Sequence, residues 1–322
     1  MKRYVFSPHV GGWGHRVRVD SIARRVVQAD PDCRVTVLVR PDDATDPRTW
    51  TQFPTASSTV ARTRSIYTAD VLVQDGAWKY DIRVQAMQRR GGRYILIGQP
   101  YRIDMSDSLV RQALRAAEKI IVPWPSRLFE LTGVLADFKD KVVNVEPIVN
   151  VERDPIGKVE QMVVYVAISR GSPKLLSMVR ACIERVFEGC NHDRVEIAGG
   201  LGRFLPRGEH SRLFLNARLV ISQAPTAVFE AMAAGIPVLM LPLKGNQEHE
   251  RLAVDLGVHE AGIAIREEDL TEENLTRAIQ TLLMNEDYRR TIVSNGLQLV
   301  PRSGLDDVVK LLIQTPTRVN SR

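Results

Sequence analysis

The stretch from Ala217 to Gly257, ARLVISQAPTAVFEAMAAGIPVLMLPLKGNQEHERLAVDLG, limits what this chain can fold into more than any other. It predicts strand, tight turn, helix, strand, loop and helix in succession. Leu219, Val220 and Ile221 form a short apolar strand. Pro225 suits the first helical position, where its fixed φ fits and its missing N–H costs nothing. Val228, Ala231 and Met232 recur at helical spacing and mark a buried face. Gly235 is expected to stop that helix, and Pro237 to Leu241 to form a second buried strand. Asn246 is expected to open a further helix and Gly257 to end it. Units of this kind build parallel sheets, which hold ligands at the carboxyl ends of their strands. Ser222, Thr226, Glu230, Asn246, Gln247 and His249 all fall at those ends.

The rest of the chain repeats the alternation. Arg3 to Ser7 reads as a strand. Val19, Ile22, Ala23, Val26 and Val27 then give the apolar stripe of an amphipathic helix. Val35 to Val39, Val71 to Gln74, Tyr94 to Gly98 and Lys119 to Pro123 are further strands, with helical segments near 81–90 and 106–117. Residues 41–58, rich in Pro, Asp, Ser and Thr without a period, predict a mobile loop over the site. An apolar run, Val142 to Val149, precedes a polar linker. A second series follows: strand Val163 to Ile168, helix Pro173 to Phe187, strand Val195 to Ala198, a Gly-rich loop, a short segment near 209–216, and the opening unit. The tail from about 268 to 314 is helical. A length of 322 residues suits about two domains. The expected class is therefore α/β, with two doubly wound Rossmann-like domains facing across a cleft. The boundaries are 1–150 and 151–322, the last helix being free to pack back on the first domain.

Charge is unevenly spread. Residues 1–150 carry 23 Lys and Arg against 16 Asp and Glu, a net +7; the remainder carries 21 against 22, a net −1. Solubility alone explains such an excess. The sharper reading is an anionic partner: a phosphorylated molecule, a nucleotide or an acidic membrane surface touched peripherally. No zinc-finger spacing or RNA-binding aromatic motif accompanies it, so specific nucleic-acid binding is not expected. No apolar run approaches the roughly 20 residues of a membrane span. The first dozen residues hold too few apolar side chains for a signal peptide. A cytoplasmic protein is expected. Cys33, Cys182 and Cys190 form no C-x-x-C pair and read as reduced, mostly buried thiols rather than metal ligands.

Several short motifs carry chemistry. Gly11-Gly12-Trp13-Gly14-His15-Arg16-Val17-Arg18 joins the first strand to the first helix. Gly12 and Gly14 let a ligand approach the backbone, and the helix start offers N–H groups to an anion. The helix dipole there disfavours imidazolium, so a neutral His15 able to take a proton is expected. Arg18, one turn on, suits a phosphate or carboxylate. A dinucleotide fingerprint is disfavoured, because Val17 stands where its third small residue belongs. Asp75, at a strand end, is placed to orient His15 or to meet a substrate; an ordinary turn aspartate is the competing reading. In the second half, the N–H groups of Thr226, Ala227 and Val228 are expected to point out of their helix toward a diphosphate. Ser222 and Thr226 add hydroxyls. Glu230, one turn further, suits both hydroxyls of a ribose, against the alternative of a solvated Glu. Asn246 and Gln247 offer amide donors and acceptors suited to a sugar. Phe204, beyond the Gly199-Gly200-Leu201-Gly202 loop, suits a base-pocket wall, and Ser169 to Gly171 are placed to reach the diphosphate. Asp30-Pro31-Asp32 precedes its strand, the wrong end of the sheet for a metal site.

With these residues assembled, the chain resembles the GT-B-fold glycosyltransferases, most of all the branch around MurG and the macrolide and plant small-molecule enzymes. The likeness is strongest from Phe204 to Gly257: Phe204-Leu205-Pro206, a short helix, LVIS, a turn, Glu230, a small-residue helix ending Gly235-Ile236-Pro237-Val238, an apolar strand with Pro242, and Asn246-Gln247. The resemblance implies a nucleotide-diphosphate sugar, UDP-linked by preference, as co-substrate. It implies metal-independent transfer with inversion and no cofactor. By resemblance Glu230 takes the ribose, Asn246 and Gln247 match the pair that holds the sugar, and His15 matches the base of the first loop. The acceptor would be anionic, phosphorylated, lipid-linked or a natural product. Where the family usually has glycine after the LVIS strand, this chain has Gln223-Ala224-Pro225, one N–H donor short. The G-H-x-x-R loop also resembles a UDP-sugar hydrolase of the same fold, which activates water instead of a hydroxyl. A non-catalytic sugar-nucleotide-binding protein is the third reading.

Overall fold

The structure is a computed structural model. It describes residues 1–9, 13–39, 51–76, 78–98, 106–150, 162–168, 173–188, 195–198 and 207–314. The chain divides into two compact units. One comprises Met1–Trp124, Phe129–Ile148 and the chain from Gly304 on; the other comprises Pro125–Leu128 and Val149–Ser303.

The first unit runs β1 (Arg3–Pro8), α1 (Trp13–Ala29), β2 (Arg34–Leu38), β3 (Thr55–Ala56), α2 (Thr59–Thr68), β4 (Val71–Asp75), α3 (Ile82–Arg89), β5 (Arg93–Ile97), α4 (Ser108–Ala116), β6 (Lys119–Pro123) and β7 (Val142–Val145). Its strands form one sheet in the order β3-β2-β1-β4-β5-β6-β7, every described pairing parallel. The strands read as continuous apolar runs because both faces of a parallel sheet are covered. Tyr4, Phe6, Val71, Val73 and all of Tyr94 to Ile97 are buried. On α1, Val19, Ile22, Ala23 and Val26 are buried, each large one stabilising by roughly 1.5–3 kcal/mol. Asp81 and Asp107 cap α3 and α4 by accepting from Arg83 and Leu109 N–H groups.

Two elements here were not expected. β3 lies within the 41–58 stretch read as loop, most of which falls outside the described residues. α2 follows it, capped by Ser58, which accepts from the Ala61 N–H at 3.2 Å. Ile66 is the one residue of α2 that is buried, while Val60 and Tyr67 face outward, so no apolar period announces the helix.

The second unit runs β8 (Met162–Ala167), α5 (Pro173–Phe187), β9 (Val195–Ala198), α6 (Arg207–Leu215), β10 (Ala217–Ser222), α7 (Pro225–Ala234), β11 (Val238–Met240), α8 (Gln247–Val258), β12 (Ile263–Ala264), α9 (Glu272–Met284) and α10 (Glu286–Leu299). Its parallel sheet has the order β12-β11-β10-β8-β9. Val164, Val166, Leu219, Ile221 and Leu239 meet Ile183, Ile279 and Leu282 in its core. Pro225 opens α7, and Gly235 closes it at φ +70, the left-handed conformation that glycine adopts without penalty. α8 does not end at Gly257. It continues to Val258, and Ala261 N–H donates to Leu256 O while Glu260 N–H donates to Gly257 O. That pair of bonds puts Glu260, φ +47, in the left-handed position instead.

The final helix, α11 (Leu305–Ile313), belongs to the first unit. It packs on α1. Its last carbonyls are held by Arg93, whose Nη1 donates to Leu312 O at 2.9 Å and Gln314 O at 2.8 Å, and whose Nη2 donates to Leu311 O at 3.0 Å. Arg93 also pairs with Glu118. A guanidinium here satisfies orphan carbonyls and complements the negative end of the helix. Among the described residues no helix is long and apolar enough to cross a membrane. Cys33 and Cys182 are free thiols; Cys190 lies outside the described residues.

Candidate functional site

Each sheet has one point where its strand order reverses, and ligands of doubly wound folds bind at the carboxyl ends there. In the first unit that point lies between β1 and β4, in the second between β8 and β10.

At the first point, register pairs Pro8 with Asp75. Asp75 is 0% exposed and ends β4. It is no surface turn residue. Arg18 Nε donates to its Oδ2 at 3.0 Å, and Arg18 Nη2 donates to its Oδ1. Burial alone would raise the pKa of this carboxyl. The Arg18 charge, then His15 and the hydrogen bonds of both, outweigh burial and hold it below the ordinary carboxylate range. His15, in the first turn of α1, brings Nδ1 to 3.3 Å from Asp75 Oδ1 and 2.9 Å from Arg18 Nη2. These partners make opposite demands. The guanidinium only donates, so Nδ1 facing it accepts, and the ring proton sits on Nε2. The carboxylate only accepts, and would draw the proton to Nδ1 and leave Nε2 as the base. The two contacts therefore belong to two tautomers, and the one that donates to Asp75 is the one that leaves Nε2 free to take a proton. Of the phosphate or carboxylate that Arg18 was expected to suit, the structure shows a carboxylate of the chain itself: Arg18 is nearly fully buried and turns Nε and Nη2 to Asp75.

Gly76 makes the cluster sterically possible. Its φ is +92, and a Cβ there would lie 2.4 Å from His9 Cβ and 2.8 Å from His15 Cε1. Gly76→Ala is expected to cost about 2 kcal/mol or more, from the left-handed backbone and the displaced ring. Urea denaturation measures this, and an unchanged midpoint would contradict the packing. The His9 and His15 rings meet edge to face with centroids 5.2 Å apart. His9 was not singled out from sequence; its place at the carboxyl end of the first strand was the available signal. Gly14 lies in the first turn of α1, and Gly12 falls outside the described residues. Beside the cluster lies a cavity of about 540 Å³, lined among others by His9, Arg16, Arg62, Lys79, Tyr80 and Asp81.

At the second point, β10 ends in Ser222, and Gln223 and Ala224 form the turn into α7. Ser222 is fully buried and its hydroxyl serves the turn: it accepts from the Ala224 N–H at 2.9 Å and faces Ala167 O at 3.3 Å. It therefore braces the turn. The Val228 N–H donates to Ala224 O at 3.2 Å, closing the helix. Of the three N–H groups expected to point outward, those of Thr226 and Ala227 remain. Thr226 is half-buried. Glu230 is 6% exposed, not a solvated side chain. Its charge reaches Tyr165 on β8: burial first, and then Glu230, push the Tyr165 hydroxyl up. That neighbour was invisible in sequence, since strand and helix are 65 positions apart.

Asn246 opens α8 without capping it by its side chain, and its Oδ1 is buried with no hydrogen-bond partner among the described residues. Gln247 is exposed. Glu248 and His249 are buried, and His249 Nδ1 accepts from the Leu243 N–H at 3.3 Å. Ser169, Gly171 and Phe204 lie outside the described residues. Among the described residues no group of three or more His, Cys, Asp or Glu has the arrangement of a metal site.

Residues 208–298 match the family described as glycosyltransferase family 28 C-terminal domain. No curated protein sequence matches the chain. Among solved structures, the spinosyn forosaminyltransferase SpnP is similar at 13% identity and TM-score 0.66, over 96% of this chain and 98% of that one. MurG of Acinetobacter baumannii follows at 13% and 0.61, over 97% and 99%. The spinosyn rhamnosyltransferase SpnG, complexed with thymidine diphosphate, gives 15% and 0.60, over 98% and 100%. Identities this low show the fold, which is GT-B. Together the fold and the family match over 208–298 support a glycosyltransferase of GT-B type.

Proposed function

We propose that this protein moves a sugar from a nucleoside-diphosphate sugar, UDP-linked by preference, to an acceptor hydroxyl, with inversion and without a metal or cofactor. The observation that carries the donor side is α7. Two outward N–H groups, Thr226 and Ala227, stand one turn before the buried Glu230 at the switch point of the second sheet. That spacing suits a diphosphate followed by a ribose. Asn246 and Gln247 take the sugar; the unpartnered Oδ1 of Asn246 awaits a hydroxyl. The similarity to a rhamnosyltransferase solved with thymidine diphosphate supports the same kind of donor.

On the acceptor side, His15 is the base. In its Nδ1–H tautomer, donating to Asp75, Nε2 takes the acceptor hydroxyl proton. The acceptor oxygen then bonds to the anomeric carbon as the bond to the diphosphate breaks, and the nucleoside diphosphate leaves. The cavity beside His9, with Arg16, Arg62 and Lys79 on its wall, favours an anionic acceptor, phosphorylated, lipid-linked or a natural product. A cytoplasmic setting with peripheral membrane contact fits that acceptor; nucleic acid does not enter the reading.

A second reading, hydrolysis of a UDP-sugar, is favoured by the Arg18 brace on His15 and Asp75, which gives the G-H-x-x-R loop a structural purpose. Thermal-shift measurements with UDP, dTDP, GDP and their sugars are expected to raise the melting temperature for one base. Stabilisation by none of them would sink both readings. Nucleotide release without acceptor separates hydrolase from transferase. Glu230→Gln is expected to weaken the binding nucleotide about ten- to a hundred-fold, as loss of charge-assisted hydrogen bonds does. Calorimetry reads this, and wild-type affinity in the variant rejects the ribose role.

A further inference from the structure

The turn before α7 is short of donors. Pro225 has no N–H. The Gln223 N–H donates to Ala167 O at 3.2 Å, the Ala224 N–H to Ser222 Oγ at 2.9 Å and the Val228 N–H to Ala224 O at 3.2 Å. Only Thr226 and Ala227 remain to face a diphosphate, which carries acceptors alone. In this same turn stands a glutamine that is 4% exposed. Its Oε1 is buried without a hydrogen-bond partner among the described residues. Burying an amide unpaired costs free energy, so native structures keep such a group where something else completes it. Gln223 sits where the sheet reverses, at the end of β10 and immediately ahead of the helix start. Neither Ser222 nor the neighbouring backbone uses it.

We propose that the Gln223 side-chain amide completes the diphosphate site, its NH₂ donating to phosphate oxygen in place of the backbone donor that Pro225 removes. The inference rests on the donor reading above. The two hydrogens of the amide suit a diphosphate, which carries acceptors alone. The amide also differs from a backbone N–H in reach. It extends from a fixed strand end, so the site tolerates the stiffer Ala224-Pro225 turn.

The test is calorimetry with the nucleoside diphosphate that binds the wild type, and with the matching nucleoside. Gln223→Ala is expected to weaken the diphosphate about ten-fold, the size of one hydrogen bond to a charged group, and to leave the nucleoside unchanged. Gln223→Glu, equal in shape but with acceptor oxygens only, should lose more. Gln223→Met keeps the volume without the amide; it should match the alanine variant and reads the result should alanine disturb packing. Equal or tighter diphosphate binding by Gln223→Ala overturns the inference, since an obstructing side chain gives that sign. A loss shared equally by the nucleoside also overturns it. Wild-type protein that binds no nucleoside diphosphate removes the donor reading itself, and this inference with it.

Discussion

Replacing His15 with alanine is expected to slow sugar transfer about a hundred- to ten-thousand-fold, the range a positioned general base supplies. Nucleotide affinity should stay within about two-fold, because the change removes transition-state rather than ground-state interactions. The expectation rests on the cluster at the β1–β4 switch point, where His15 Nδ1 faces Asp75 and Arg18 at 3.3 and 2.9 Å. The ring is steadied by Gly76 beneath it and His9 at its edge. Initial rates of nucleoside-diphosphate release, beside calorimetric affinities, separate the two parameters. Turnover equal to wild type would take His15 out of the chemistry. A large rise in the dissociation constant with unchanged turnover would make it a binding residue.

Asp75→Asn is expected to cost about 3–5 kcal/mol of folding stability at neutral pH, because it strands the buried Arg18 guanidinium without its counter-charge. The carboxyl titrates below its ordinary range in the folded protein. Its contribution is therefore fully present above the unfolded value of about 4 and is lost as pH falls through the lower folded value. The gap between wild type and variant should be widest near pH 7 and close on strong acidification. Denaturant midpoints at a series of pH values measure it. Equal midpoints at pH 7 would refute the buried pair. Adding Arg18→Met to Asp75→Asn should restore part of the loss, since the uncompensated charge is then gone.

The parallel architecture was legible because runs such as Val71 to Gln74 and Tyr94 to Gly98 are apolar throughout and alternate with helical stripes. α7 was legible at both ends, from Pro225 and Gly235, each of which has one comfortable backbone conformation. Elements with little to bury left no such trace. α2 buries Ile66 alone, and β12 is two residues long. The positions of Glu230 and Asp75 at strand ends could be read, but not their burial. Arg18 and Asp75 are 57 residues apart, so their pairing follows from strand register and not from any local pattern. For the same reason Arg18 read as a ligand group. The hydrogen bonds that engage Ser222 and the Val228 N–H within the turn were not legible either, because they depend on the local backbone path. Gly257 read as a helix stop, yet the left-handed position fell to Glu260, a residue with no intrinsic preference for it.

The clasp of Arg93 on α11 bears on how the protein is made. The first unit needs a helix encoded at the far end of the chain, and Gly304 N–H donates to Pro147 O at 3.0 Å as that segment returns. During synthesis the nascent chain presents β1 to β7 long before α11 leaves the ribosome, with the α1 surface that α11 later covers still open. The second unit emerges in one contiguous piece from Val149 to Ser303 apart from four residues, Pro125–Leu128. The half of the protein that is translated first is thus the half that finishes last, and until then its exposed apolar face is the part of the chain for a chaperone to guard.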